Sequence, residues 1–200
     1  MAQLHLHFPH RIRQAWRRAL LSVLLLPLLL ALAFAPAPSR AESTPIERQI
    51  KAAYLYKFAG FVEWPEGSFV RPDSPLVIGV MAADAMAEQL ERIVAGHSAN
   101  GHPLVVKRLR KGEPPGHVHM LFLGAMDKAA LQEVIAAARS QPLLTVSDNE
   151  DAFAAGCIIN FVVAEDRLRF DVALKNAAAA RIRISARMLS AAYRVQQGVS

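Results

Sequence analysis

Two hydrophobic rhythms alternate along the chain after residue 45. Between Glu47 and Glu63 apolar residues recur at helical spacing. Ile50, Tyr54, Leu55, Phe58, Phe61 and Val62 fall on one face, with Tyr56 and Glu63 opposite. Lys51 is the misfit within that face. Pro65 biases Trp64 out of helical geometry and ends the segment. Leu76 to Met81 (LVIGVM) is then a continuous apolar run of strand length, as for a strand covered on both faces. Asp84 to Val94 returns to helical spacing, with Met86, Leu90, Ile93 and Val94 inward. Strands follow at Leu104 to Leu109 and at His119 to Leu123, a helix capped by Asp127 runs through Arg139, and a strand spans Leu143 to Val146.

The last third reads differently. Cys157 to Val163 and Leu168 to Leu174 are strand-like runs separated by four residues, which is hairpin spacing. In the second arm Leu168, Phe170, Val172 and Leu174 alternate with Arg169, Asp171 and Ala173. That pattern predicts a solvated face and a strand near a sheet edge. Ser185 caps a final helix with Met188, Leu189, Ala192 and Val195 inward. Helices alternating with strands and closed by a hairpin predict a single three-layer α/β domain: a mixed β-sheet flanked by helices, with a C-terminal β-hairpin and helix.

The N-terminus changes the electrostatic picture. Residues 1–18 carry four arginines, Ala19 to Ala35 is apolar apart from Ser22 and Pro27, and Ser39 and Ala41 form a small-residue cleavage site. This is the plan of a secretory signal peptide, cut after Ala41, which leaves residues 42–200 as the working domain. The chain has formal charge +6, but the leader holds five arginines and no acid, so 18 basic and 17 acidic residues remain. No basic stripe survives for nucleic acid to bind. The lone Cys157, within the apolar GCIINFVV, reads as a buried thiol with no intramolecular disulfide partner.

Candidate chemistry is sparse. The chain has no G-x-S-x-G elbow, no G-x-G-x-x-G and no Walker loop. His117 and His119 would share one side of a strand, a spacing suited to zinc or copper. No third ligand is fixed, and the pair reads instead as a polar strand entrance; neither a metal nor another cofactor is expected. Thr145, Ser147 and Asp148 end a strand with hydroxyl and carboxylate groups. Ligands gather beyond strand carboxyl ends in open α/β sheets, so these three are the ligand-pocket candidates. No catalytic residue is assigned, and the protein is not expected to be an enzyme.

The stretches KAAYLYKFAGFVEWP, LVIGV, HMLFLG, LLTVSDNEDAFAAGCIINFVVAEDRLRFDVAL and ISARML resemble, in order and spacing, the YfiR-like family of periplasmic proteins over residues 46–193. The resemblance implies an exported periplasmic regulator that represses an inner-membrane diguanylate cyclase by binding its periplasmic sensor domain, with effects on cyclic di-GMP and biofilm. Its implied partners are that cyclase or a sensor kinase and an outer-membrane lipoprotein, with a homodimer left open. The hairpin's solvated face offers Arg169 and Asp171, while Tyr56 lies off the first helix's apolar face and Trp64 at its exposed end. With aromatics and arginine dominating interfaces, these four are the partner-binding candidates. A periplasmic small-molecule-binding sensor accessory, using Thr145 to Asp148, is the alternative. The chain departs from the family pattern at Val118 and around Gly79, where some members carry cysteines, at Ala173 in place of asparagine, and at Arg181 in place of glycine.

Overall fold

The computed structural model describes residues 44–139 and 141–197. The predicted signal peptide over 1–41 lies outside them, and the described residues belong to one compact unit, Glu42–Ser200. Helix α1 (Pro45–Ala59) starts where the Thr44 hydroxyl accepts from the Glu47 amide and Pro45 occupies a position that needs no donor. It stops four residues short of the predicted end. Gly60 closes it, and Val62–Glu63 becomes a short strand, β1. The backbone there finds partners elsewhere: β1 pairs antiparallel with β9 (Arg183–Ile184), and the Ser185 amide donates to Phe61 O.

Between them run β2 (Leu76–Met81), α2 (Asp84–Val94), β3 (Ser98–Ala99), β4 (His102–Leu109), β5 (Met120–Leu123), α3 (Lys128–Ala138), β6 (Leu144–Ser147), α4 (Glu150–Ala155), β7 (Ile159–Ala164), β8 (Arg167–Ala173) and α5 (Leu174–Ala179). After β9 come α6 (Ala186–Ala191) and β10 (Arg194–Gln196). The main sheet has the order β10-β8-β7-β6-β5-β2-β4-β3. The block β4-β2-β5-β6-β7 is parallel throughout, and the β7–β8 hairpin is antiparallel. One face packs on α1 and α2 through Ile78, Val80, Phe122, Val146 and Phe161; the other packs on α3 and α4 through Leu109, Leu121 and Leu123. The expected three layers and mixed sheet are present.

The first helix lies over the hairpin. Tyr54 and Phe58 meet Phe161 and Phe170 with ring centroids 5.0–6.0 Å apart. Most of the aromatic crowding in KAAYLYKF is therefore packing. Leu55, Phe58 and Val62 are buried as the spacing predicts, and the misfit Lys51 is buried with them at 3% exposure, whereas Ile50 is 42% exposed. The ammonium reaches Asp148 Oδ2 at 2.6 Å and Glu47 Oε1 at 2.5 Å, so the buried charge is paired just past β6's end.

The C-terminus departs furthest from expectation. The predicted final helix ends at Ala191, and the chain adds β10 parallel to β8. The second hairpin arm is thus not an edge, and Asp171 is not on a solvated face. It is 1% exposed, opposite Arg194, whose Nε and Nη2 donate to Asp171 Oδ2 at 3.0 and 2.6 Å. The hairpin turn places Glu165 and Asp166 at φ 54° and 56°, a two-residue turn with both residues left-handed. Arg181 likewise has φ 57°.

Candidate functional site

The polar residues at the carboxyl end of β6 are absorbed into the fold. Ser147 Oγ donates to Leu123 O at 2.9 Å and accepts from the Asn149 amide, and Ser147 is fully buried. Asp148 is the counter-ion of Lys51. Thr145 Oγ1 accepts from the Ile158 amide at 3.0 Å. Thr145 lines a cavity between α3, α5 and the start of β7, and neither Ser147 nor Asp148 lines it. The three ligand-pocket candidates therefore do not converge on one space.

The crevice where such sheets usually bind ligands is also filled. The parallel strands run β4-β2-β5-β6-β7, so the winding reverses between β2 and β5. There the Gly124 amide donates to Met81 O at 2.9 Å. A Cβ on Gly124 would lie 2.3 Å from Ala82 O and 2.8 Å from Ala83 Cβ. Backbone meets backbone where a ligand would sit.

At the opposite end of the sheet the sequence 64–75 folds back over the starts of β2 and β5. Trp64 Nε1 donates to His119 O at 3.0 Å. Phe69 is sandwiched between two imidazoles: its centroid is 3.7 Å from His102 at 10° and 4.3 Å from His119 at 13°. Trp64 meets both Phe69 and His119 edge-on. His102 Nδ1 donates to Ser74 O at 2.7 Å.

His119 has a defined tautomer. The Val77 amide donates to its Nδ1 at 3.1 Å, so the ring proton is on Nε2, which donates to Ser68 O at 3.0 Å. Burial holds its pKa below the usual imidazole value; the Ser68 carbonyl opposes that shift, and the charges of His102 and His117 add to it. With both ring nitrogens committed to backbone, His119 acts as a clasp. Beside it an open cavity of about 370 Å³ is lined by Gly60, Phe61, Trp64, Phe69, His102 and Ser185 among others.

The remaining candidates lie apart. Tyr56 is half-buried, edge-on to His97 at 5.5 Å. Arg169 is half-buried on β8, 4.0 Å from Glu165, and its buried Nε has no partner. Asn160 Oδ1 and Asp171 Oδ1, which stand on the same face of the hairpin by register, are likewise buried and unpaired. Trp64 and Tyr56 are held at the α1 side, whereas Arg169 and Asp171 are on the hairpin; the structure does not gather the four into one patch.

Cys157 is buried, with its thiol pushed up to about 11 by desolvation, so it is a poor nucleophile in the native state. No group of three or more metal-ligating side chains occurs among the described residues. The sequence reading missed three features: the Lys51 ion pair, the His102–Phe69–His119 stack and the Arg194–Asp171 bond. Each joins residues far apart in the chain, and only the misplaced Lys51 gave a local signal.

The fold and these contacts define a doubly wound α/β domain whose usual ligand crevice is closed. The chain belongs to the YfiR/HmsC-like family, whose model matches residues 48–193. A conserved domain protein from Vibrio cholerae O1 biovar El Tor has a similar fold in its crystal structure, with a TM-score of 0.52 and 12% identity. The similarity covers 78% of this chain and 62% of that one, less than two thirds of its length. No functionally curated protein matches the chain. Among the described residues no helix is long and apolar enough to cross a membrane.

Proposed function

We propose that this protein is an exported periplasmic regulator that represses a membrane diguanylate cyclase by binding the cyclase's periplasmic domain. The observation that carries the reading is membership of the YfiR/HmsC-like family across residues 48–193. The site geometry is in keeping with a binding role. The hydroxyl of Ser147, the thiol of Cys157 and both nitrogens of His119 are spent on internal contacts rather than poised for chemistry. Repression by binding needs only that the regulator prefer the inactive cyclase over the active one.

Arg169 and Trp64 are the groups offered to a partner. Arg169 is half-buried beside unpaired Asn160 and Asp171 oxygens, and Trp64 is half-buried just after β1. Asp171 contributes by fixing Arg194 rather than by direct contact, and Tyr56 adds a half-buried ring next to His97. Deleting the gene should raise cellular cyclic di-GMP, and purified protein should capture a membrane cyclase from detergent extracts. Unchanged cyclic di-GMP together with no cyclase in the captured fraction overturns the proposal. The alternative reading, a small-molecule-binding accessory of a sensor, is favoured by one observation: a cavity that Thr145 does line.

A further inference from the structure

That cavity has a specific chemical character. It measures about 330 Å³ and lies between the end of α3, the starts of β6 and β7, and α5. Its apolar part is made by Ile135, Leu143 and Ile158 with Ala138, Ala179 and Ala180. Three alanines leave open a space that larger side chains would fill. The polar groups within it are neutral and already paired: Thr145 Oγ1 takes the Ile158 amide, and Asn176 Nδ2 donates to Cys157 O at 3.2 Å.

The charge at the rim is all of one sign. Arg139 and Lys175 line it, and no carboxylate does. Arg139 is held in place, its Nη2 donating to Ala155 O at 2.6 Å. It lies directly over Gly156, where a Cβ would come within 3.0 Å of Nη2. Gly156 has φ 117° and so accepts no ordinary side chain, which keeps the seat of the guanidinium clear. One N–H of Arg139 is spent on Ala155; the guanidinium carries others for a ligand. Lys175 is exposed, and no described carboxylate lies within 4 Å of it.

A fixed guanidinium and a free ammonium above an apolar floor select a ligand with one anionic head and a short hydrocarbon body. We infer that this cavity binds a small amphiphilic carboxylate, its head between Arg139 and Lys175 and its body on Ile135, Leu143, Ile158 and the alanines. A planar carboxylate matches the guanidinium fork in two hydrogen bonds. The volume is at the lower end of the roughly 300–1,000 Å³ typical of ligand pockets. At about 30 Å³ per water-sized group it holds a body of around ten such groups, which fits a medium-chain acid. The inference deepens the small-molecule reading and is independent of cyclase repression, because the measurement needs no cyclase.

The test titrates the purified protein with octanoate, octanol and octylamine by calorimetry and by amide chemical shifts. Octanoate should bind saturably, with shifts centred on Arg139, Gly156 and Lys175, and at least about tenfold more tightly than octanol or octylamine. Lys175→Gln should weaken octanoate by about two- to fivefold, the scale of an exposed charge pair, and added salt should weaken it further. Ala179→Phe, at the solvent-facing mouth of the cavity, should abolish binding by blocking entry while leaving the circular dichroism spectrum and Tm unchanged. Arg139→Gln also loses the Ala155 bond, so its binding is compared at equal folded fraction. Equal binding of octanol and octanoate overturns the inference. So does full binding by Ala179→Phe, the absence of saturable octanoate binding at millimolar concentration, or shifts confined to the cavity beside Trp64. Loss of cyclase capture with octanoate binding intact would reject the repressor proposal and leave this site standing.

Discussion

Replacing His119 by phenylalanine keeps an aromatic ring in the Phe69 stack and removes both nitrogen atoms. Two hydrogen bonds go with them, from the Val77 amide to Nδ1 and from Nε2 to Ser68 O. The Ser68 carbonyl lies in a surface segment where water can replace the lost donor. The Val77 amide opens β2, and its replacement partner is less accessible. With a net value of about 0.5–1.5 kcal/mol per bond and a larger penalty for an orphaned buried group, His119→Phe should cost about 2 kcal/mol at neutral pH.

Acid should erase that difference. Nδ1 cannot take a proton while it accepts from Val77, and burial already lowers the native pKa below the usual value near 6.5. Above the unfolded pKa both states are neutral and the clasp contributes fully. As pH falls below about 6.5, the unfolded chain takes up a proton that the native state refuses. Stability then drops by at most about 1.4 kcal/mol per pH unit until the native pKa is reached. The phenylalanine variant lacks this loss. The other imidazoles facing the ring, His102 on β4 and His117 ahead of β5, are present in both proteins. Urea unfolding followed by Trp64 fluorescence at pH 7.5, 6.5 and 5.5 measures the gap. It should be widest at pH 7.5 and shrink on acidification. A gap that stays constant or widens as pH falls refutes the assigned tautomer and the clasp.

Other consequences are smaller in scope. Asp148→Ala leaves the buried Lys51 ammonium with Glu47 alone and should lower stability by about 1–3 kcal/mol, whereas Lys51→Met, which removes the buried charge, should cost less; the reverse order in urea melts would show that the pair does not control the site. Arg194→Ala strands the Asp171 carboxylate and should destabilise by up to about 3 kcal/mol, with Arg194→Ala/Asp171→Ala more stable than the single variant; additive losses in the double-mutant cycle would deny the coupling. Arg181→Gly relieves a left-handed residue and should raise stability by up to about 1 kcal/mol, while Arg181→Val lowers it; a fall in Tm for the glycine variant contradicts the strain argument.

Much of the layer order was legible because it rests on local periodicity. LVIGVM is a strand with one partly covered position, and the helix Asp84–Val94 has the predicted limits. The errors share a physical cause. Ile50 faces outward although it shares the helix's apolar spacing, while Lys51 keeps its inward place because a carboxylate just past a strand nearly a hundred residues away pairs with it. Asp171 looked solvated because strict alternation marks an edge strand, and nothing local announced that Arg194 would cover that edge. The final helix was overextended because Val195 kept helical spacing, although pairing with Val172 draws it into a strand. The site suffered more than the fold, since His102, Phe69 and His119 meet only through three separate segments.

At the carboxyl end of β6, where a general rule for open α/β sheets places ligands, the polar side chains are taken up by the fold. That rule presumes that loops beyond the strand carboxyl ends diverge and leave backbone groups free. Here Gly124 brings its chain against Ala82 and Ala83, Ser147 turns inward to Leu123, and Asp148 turns to Lys51. The Ser147 hydroxyl, Asp148 Oδ2 and the Gly124 amide are spent on joining β2, β5, β6 and α1. The other end is built differently. Its loop is held by aromatic stacking and backbone acceptors, and its second cavity is bounded by alanines and two cations. A domain that fastens one end of its sheet and leaves cavities at the other confines adjustable contacts to the strand starts. Trp64 and Lys175 both line cavities at that end, where the central strands begin.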